Sequence, residues 1–383
     1  MDVEVLINQL EEHNEGSVLA TKKFNPEEVI FLYEEKNQSI LEAIKKYYED
    51  NFPKVKFNEV KAKEGEVERL EEIIRNNENR NILVNLTGGS KVNSLILSNI
   101  CANKGVRSIY MNIKEKILYI IDKNIRVMKE EYEDLELSSL LSASGKEIVY
   151  DSGELFSNKN LKYITKKIYT NLELWHKYKQ RLYDVNVFIH NEEDSNKMII
   201  KTKLLNKDEK SILDKILLKL KEIQEIDFRN IDENDIEVKF NNDYLKPFIF
   251  KIGTWLEFAT KTIISEIEEI DEVKSGVVFL WNHSNSNIKN EVDVVLVKDS
   301  VVTCISCKDS DKYNEDALNE LKVYASKVGG KDANKILVAT KEPIKNTVRE
   351  RAREMNINLV IFDGNEERFK KEIKKLICKN NDK

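Results

Sequence analysis

The sequence predicts an α/β protein in which two sheet-bearing domains flank a connector, and three observations support that class. The chain has 383 residues, beyond the size at which one hydrophobic core usually suffices. Strand and helix signals alternate over about the first 125 residues, and after about Tyr244 the order becomes helix, strands, helix, strand, helix, strand, helix. With 41% hydrophobic and 34% charged residues and only 4 Pro and 12 Gly, the composition is that of a chain rich in regular elements, not a disordered or fibrous one.

In the first domain "VEVLIN" (Val3 to Asn8) reads as a buried strand, "EVIFLYEE" as a second, "SILEAIKKYYEDNF" as an amphipathic helix, "VKFNEVKA" as a strand and "EVERLEEIIRNN" as a helix. "NILVNLTGGSKVNSLILSNICANKG" reads as a buried strand, a glycine turn and a helix closed by Gly105, and "VRSIYMNI" and "KILYIID" as a final pair of strands. Repeated βα units predict a largely parallel sheet, with ligands beyond the carboxyl ends of its strands. Across residues 129–243 the pattern loosens. "NLKYITKKIYTNLELWHKYKQRLY" and "DEKSILDKILLKLKEIQEI" read as long helices and "DIEVKF" as a short strand, so the connector is either helical or holds a winged-helix-like element. In residues 244–383 the helix "YLKPFIFKIGTWLEFATKTIISEI" precedes the strand "SGVVFLW", the polar loop "NHSNSNIKN", and a hairpin of "EVDVVLV" and "VVTCIS" around "KDS". The helix "NEDALNELKVYASKV", the strand "KILVAT", the helix "IKNTVRERAREM", the strand "INLVIF" and a basic helix complete a second α/β domain.

No run approaches the ~18 apolar residues that span a bilayer, and "MDVEVLINQLEEHNEG" lacks the pattern of a signal peptide. A cytoplasmic protein with no membrane partner is expected. Four cysteines are too few for a disulfide framework in a chain of this length. A net charge of −6 excludes a generally basic nucleic-acid binder, but not a nuclease, because a local cluster or a metal ion can still attract phosphate.

"NLTGGSK", Asn85 to Lys91, lies between a buried strand and a helix. Its glycines allow close backbone approach, Thr87 and Ser90 carry hydroxyls, Lys91 a cation, and the helix start presents unpaired N–H groups, a combination suited to phosphate. The spacing is neither that of a P-loop nor G-x-G-x-x-G. The segment resembles the N-x-T-G-G-T-K turn of CARF domains, the Rossmann-like CRISPR-associated sensors of cyclic oligoadenylates, with Ser90 in place of threonine. The resemblance implies a sensor domain over residues 1–128, with Asn85, Thr87, Gly88, Gly89, Ser90 and Lys91 at the ligand and Asn8 and Gln9 lining the same pocket. It also implies a homodimer with the symmetric ring, cyclic tetra-adenylate being the leading candidate, bound across its two-fold axis.

In the second domain, "CISCK" (Cys304 to Lys308) offers two cysteines three apart, but strand alternation sends Cys304, Ser306 and Lys308 one way and Ile305 and Cys307 the other. A CxxC metal or redox pair uses a turn or helix start instead, and His283 does not complete a zinc set. A metal-dependent phosphodiesterase needs carboxylates for Mg²⁺ or Mn²⁺ and a lysine to orient water or stabilise the phosphate. Asp293 on the first hairpin strand and Lys308 at the end of the second supply such a pair.

The arrangement resembles the PD-(D/E)xK restriction-endonuclease-like fold, and the whole chain resembles the CARF-fused CRISPR ancillary nucleases, whose G-x-W-L-E helix is matched by "GTWLE" with Glu257. That resemblance implies metal-dependent cleavage of single-stranded RNA or DNA, or nicking of DNA, when the cyclic nucleotide binds. One departure stands out: Ser306 occupies the position of the acid in acid-x-Lys. Glu320 on the following helix, Glu291 on the strand of Asp293, and Glu257 are the candidate replacements. A decayed nuclease that only senses ligand or binds nucleic acid is the rival reading. His13, His176 and His190 are expected as surface or packing residues and Trp255 in the core, while Lys261, Lys312, Lys322 and Lys327 are more simply solvated than groove-lining.

Overall fold

The structure, a computed structural model, describes residues 2–122, 125–129, 132–251, 253–280 and 289–378. Most of the expected polar loop, His283 included, lies outside the described residues. Among the described residues, no helix is long and apolar enough to cross a membrane.

The N-terminal region is β1 (Val5–Gln9), α1 (Glu15–Phe24), β2 (Glu28–Tyr33), α2 (Gln38–Asn51), β3 (Lys56–Lys61), α3 (Val67–Asn77), β4 (Ile82–Asn85), α4 (Lys91–Lys104), β5 (Arg107–Asn112), β6 (Ile117–Ile121) and β7 (Ile125–Lys129). Its seven strands run in the order β3-β2-β1-β4-β5-β6-β7. The first five are parallel, and β6 and β7 antiparallel. Strand β1, apolar except at its end, is buried along its length, with Leu6 facing the core under α1 and α2 and Val5 and Ile7 facing that under α3 and α4. Because β1 and β4 are neighbours, Asn8 and Gln9 end up beside the glycine turn. The expected final pair of strands is a trio, so a boundary at residue 128 falls inside β7.

The middle segment differs from a purely helical connector. It consists of α5 (Leu137–Ser142), β8 (Glu147–Tyr150), α6 (Lys159–Tyr169), α7 (Leu172–Leu182), β9 (Phe188–His190), β10 (Lys197–Lys201), α8 (Lys207–Glu222), β11 (Ile226–Asn230) and β12 (Asp235–Phe240). Strands β9 to β12 form a four-stranded antiparallel sheet. The long helix expected from Asn160 onward breaks between α6 and α7 at Thr170 and Asn171, and both halves keep an apolar face across the break. β8 leaves this segment to pair with the last sheet.

That last sheet is built from α9 (Leu245–Phe250), α10 (Thr254–Ile264), β13 (Glu272–Leu280), β14 (Lys289–Lys298), β15 (Val301–Lys308), α11 (Glu315–Gly329), β16 (Asn334–Ala339), α12 (Asn346–Glu354), β17 (Asn358–Ile361) and α13 (Glu366–Ile377), with strand order β17-β16-β15-β14-β13-β8. The helix expected from Tyr244 to Ile267 is therefore two, interrupted before Gly253. The β14–β15 hairpin turns through Asp299 and Ser300, both at positive φ, as a tight two-residue hairpin requires.

Three cores hold these layers. One runs from the α1/α2 side of the first sheet, through Leu137, Leu140 and Leu141 of α5, to the α11 side of the last sheet. Each of those leucines is at most 5% exposed, and burying each contributes roughly 2 kcal/mol. The second core joins the middle segment to the α10/α13 side of the last sheet, and the third lies under α3 and α4. Cys304 packs in the first core and Cys307 in the second, on opposite faces of β15, so the cysteines are not a pair. Burial pushes the Cys304 thiol up to about 12 and raises that of Cys307 as well.

Candidate active site and ligand turn

Strand β14 loses its alternation at Asp293. Val292 packs in the first core and Val294, two residues on, in the second. Opposite the break, Gly276 of β13 adopts φ +55°, a conformation other residues resist. Pairing of β14 with β15 ends at Val294 and Ile305. Beyond it the Asp293 carboxylate takes the place of a ladder carbonyl: its Oδ2 accepts from the Cys307 N–H at 2.6 Å and from the Ser306 hydroxyl at 3.2 Å.

Where the strands part there is a cavity of about 320 Å³ lined by Lys251, Glu257, Lys289, Asn290, Glu291, Val292, Asp293, Ser306, Lys308, Glu320, Leu321 and Tyr324. It brings together all six residues expected from the sequence: Asp293 and Glu291 from β14, Ser306 and Lys308 from β15, Glu257 from α10 and Glu320 from α11. Burial, then the charge of Asp293, pushes the Glu257 carboxyl up to about 8. Burial raises Asp293 too, against the pull of Lys308, the Cys307 N–H and the Ser306 hydroxyl. Glu320 accepts from the Tyr324 hydroxyl at 3.0 Å, and Glu291 lies 3.9 Å from Lys251.

Acids held up by burial and by a neighbouring carboxylate, as Glu257 is by Asp293 and Asp293 by Glu291, are relieved by a cation between them, and an all-oxygen donor set is what Mg²⁺ and Mn²⁺ prefer. Among the described residues, the three carboxylates whose oxygens lie within 4.8 Å of one another are elsewhere, at Asp134, Asp271 and Asp299. That cluster is already met by Lys116, 2.6 Å from Asp299 and 3.3 Å from Asp134.

Sequence reasoning missed the support behind the cavity. Asp309, directly after Lys308, is 6% exposed. It accepts from the indoles of Trp175 (2.7 Å) and Trp255 (2.8 Å) and from Thr340 (2.8 Å), and pairs with Lys179 at 2.9 Å. Burial opposes its ionisation, but these donors outweigh it and hold the carboxyl below its usual range. Trp255 is core, as expected, and its indole N–H also ties the start of α10, and so Glu257, to the end of β15. His176 lies 3.2 Å from Asp309 and His190 stacks edge-on to Phe250, both packing roles. Lys261 lies 4.0 Å from the centre of the Phe156 ring and Lys327 pairs with Glu12, while Lys312 and Lys322 are exposed.

The glycine turn is divided between support and surface. Asn8, expected to line the pocket, is fully buried: the Asn85 amide donates to its Oδ1 at 3.0 Å and to the Gly16 carbonyl at 3.2 Å. Asn85 in turn accepts from the Thr87 N–H, and Thr87 Oγ1 accepts from the Met111 N–H at 2.9 Å. The Asn85 amide and the Thr87 hydroxyl thus brace the turn, while the Nδ2 of the buried Asn8 is left without a partner among the described residues. Gln9 is 4% exposed and donates to Ser94, and its side chain crowds Gly89, which sits at φ +81°. Ser90 caps α4 by accepting from the Asn93 N–H at 3.2 Å. Gly89, Ser90 and the exposed Lys91 are left as the accessible surface, with a larger open depression at Lys61, Lys63, Gly65 and Arg69 whose loop donates to Asn93 of α4.

Residues 17–137 match the family described as the Card1 CARF domain, and residues 247–379 the family described as the Card1-like endonuclease domain. No curated protein matches the chain. Among solved structures, Can2 from Sulfobacillus thermosulfidooxidans in complex with cyclic tetra-adenylate is similar over 98% of this chain and 99% of its own, at 17% identity and a TM-score of 0.73. The protein VC1899 from Vibrio cholerae is similar over 98% of both chains, at 14% identity and a TM-score of 0.75. A type III CRISPR defence DNA nuclease activated by cyclic oligoadenylate is similar over all of this chain but 52% of its own, at 14% identity and a TM-score of 0.52. At these identities the structural likeness speaks for the fold. The two family matches place the chain among the Card1-like proteins, with a CARF domain at its N-terminal end and an endonuclease domain at its C-terminal end.

Proposed function

We propose that the protein is a metal-dependent nuclease of type III CRISPR defence, switched on by a cyclic oligoadenylate at the glycine turn and cleaving a phosphodiester bond of RNA or DNA in the cavity between β14 and β15. The observation that carries this reading is the convergence of Asp293, Glu257, Glu291, Glu320, Ser306 and Lys308 on one cavity, in a chain whose other end is a CARF domain. Can2, similar in fold, is bound to cyclic tetra-adenylate, which supports that ring as the activator.

Asp293 and Glu257 would hold a divalent cation, with Glu291 beside them. Such an ion would supply Lewis-acid stabilisation of the charge that builds on the phosphate. Lys308 orients the attacking water and faces the same phosphate oxygens. Ser306 supplies no charge; its hydroxyl donates to Asp293 and fixes that carboxylate. Of the three candidate replacements for the missing acid, Glu257 is favoured because Asp293 is the largest charge acting on its carboxyl, whereas Glu320 is engaged by Tyr324.

A homodimer is supported by an uncovered apolar surface. Val92 and Leu95 of α4 are 45% and 73% exposed, and Tyr110 and Val127 are exposed on the same face of the first sheet. Ser306 favours the second reading, a sensor with a decayed nuclease. A cleavage assay with labelled single-stranded RNA and DNA and with plasmid separates the two, run with Mg²⁺ or Mn²⁺ and with or without cyclic tetra-adenylate. Cleavage that needs both metal and ring is expected; ring binding without cleavage in either metal would establish the decayed sensor.

A further inference from the structure

The glycine turn is already engaged by an acid of the chain itself. Glu11, in the loop after β1, lies against its inner side: a Cβ on Gly88 would come 2.5 Å from Glu11 Oε1, and the Gly89 N–H is directed at the same carboxylate. Backbone N–H groups at a glycine turn that opens a helix are donors that phosphates take.

The loop carrying Glu11 is a closed unit that also grips the nuclease domain. Asn14 ties it together, accepting from the Glu11 N–H at 3.2 Å and donating to the Glu11 carbonyl at 2.9 Å and to the Ala143 carbonyl at 3.1 Å. Glu12 accepts from Lys327 at 2.9 Å, and His13 Nε2 lies 3.1 Å from the Ser326 carbonyl oxygen, its ring packed on Gly330. Ser326, Lys327 and Gly330 are at the end of α11, the helix that brings Glu320 and Tyr324 into the cavity.

We propose that Glu11 is the displaceable counter-anion of the glycine turn: a ligand phosphate takes the Gly89 amide and the space beside Gly88 from it, and the freed Glu11–Asn14 loop passes the exchange to the end of α11. The assignment rests on the reading that this turn binds a cyclic oligoadenylate. Glu11 is faced by Glu15 of α1 and by Lys331 and Asp332 after α11, with Lys146 and His13 close by. Burial, then Glu15, holds the Glu11 carboxyl up at about 7, where it is neutral below and anionic above. Burial keeps His13 down at about 4, below the range where Glu11 titrates, but brings Lys146 down to about 8 and raises Glu15, so the effect of Glu11 is read as the difference between wild type and a Glu11 variant.

The test is calorimetric titration of the full-length protein with cyclic tetra-adenylate at about pH 6.5 and pH 8. Wild-type affinity is expected to fall roughly tenfold as Glu11 ionises, while Glu11→Gln loses clearly less between the two values. The same pH dependence in both proteins overturns the assignment. If wild type binds at neither pH, the ligand reading of the turn fails, and hydrogen exchange of the ligand-free Glu11→Ala protein decides the coupling alone. Faster exchange across residues 10–15 and 326–332, with α3 unchanged, is expected; unchanged exchange at 326–332 overturns it.

Discussion

The cavity between β14 and β15 is made of side chains, whereas the glycine turn after β4 is made of backbone. In the cavity, charged groups from α10, β14, β15 and α11 project into one space, and burial raises the carboxyls of Glu257 and Asp293. At the turn, the side chains of Asn85, Thr87 and Ser90 brace the chain, and what the turn presents outward is amides, a cation and room. The two should therefore tolerate change differently. A side-chain site can move a carboxylate from one wall to another, the route we propose for Ser306. A backbone site cannot replace a residue whose conformation and space only glycine meets.

The largest effect is expected at Asp293. Asp293→Asn keeps an acceptor for the Cys307 N–H but removes the charge, and should lower the activated cleavage rate by about a hundredfold or more with the melting temperature little changed. Cleavage at the wild-type rate would move the active site elsewhere.

Next is Gly89→Ala, which meets both positive φ and the Gln9 side chain. It should cost about 1–3 kcal/mol of stability, read by denaturant melts, and abolish ring binding. Gly88→Ala meets the end of the flexible Glu11 side chain and, at ordinary contact distance, the Gln9 carbonyl, so it should be the milder change; equal losses would show that space at the turn is not what matters.

Glu257 offers a test by pH. Its carboxyl, raised to about 8 without metal, is a proton the folded state holds and the unfolded state releases, so its contribution to stability falls as pH rises from the ordinary carboxylate range toward 8. Metal-free Glu257→Gln should thus gain melting temperature relative to wild type at about pH 8 and little at about pH 5. The metal concentration for half-maximal cleavage in wild type should fall as pH rises through the same range. No change of either kind would remove Glu257 from the metal site.

The smallest effect belongs to Ser306→Ala, which deletes one hydrogen bond to Asp293. A loss of about 1 kcal/mol, seen as a few-fold lower cleavage rate, is expected. A loss as large as that of Asp293→Asn would mean that Ser306 acts in the chemistry itself.

Much of the fold was legible because apolar periodicity is a local signal: the βα alternation, the glycine turn and the β14–β15 hairpin all appear in the order expected. The same signal hid the helix breaks at Thr170–Asn171 and before Gly253, since the apolar faces continue across them. It also missed β7, a short strand with exposed apolar residues, and β8, whose partner β13 is more than a hundred residues away. Glu11 and Asp309 carried no signal, because an acid beside a strand end reads as solvated until the elements that bury it are in place.

Strand alternation and a strand–turn–helix order, together with the family resemblance, made Asp293, Lys308 and residues 85–91 candidates from the sequence, since they constrain where such groups can point. Which carboxylate stands in for Ser306, which turn residues face outward, and how the turn reaches α11 depend on distances between segments far apart in sequence. The burial of Glu257 and the push of the Asp293 charge on its carboxyl exist only once α10 is packed against the last sheet.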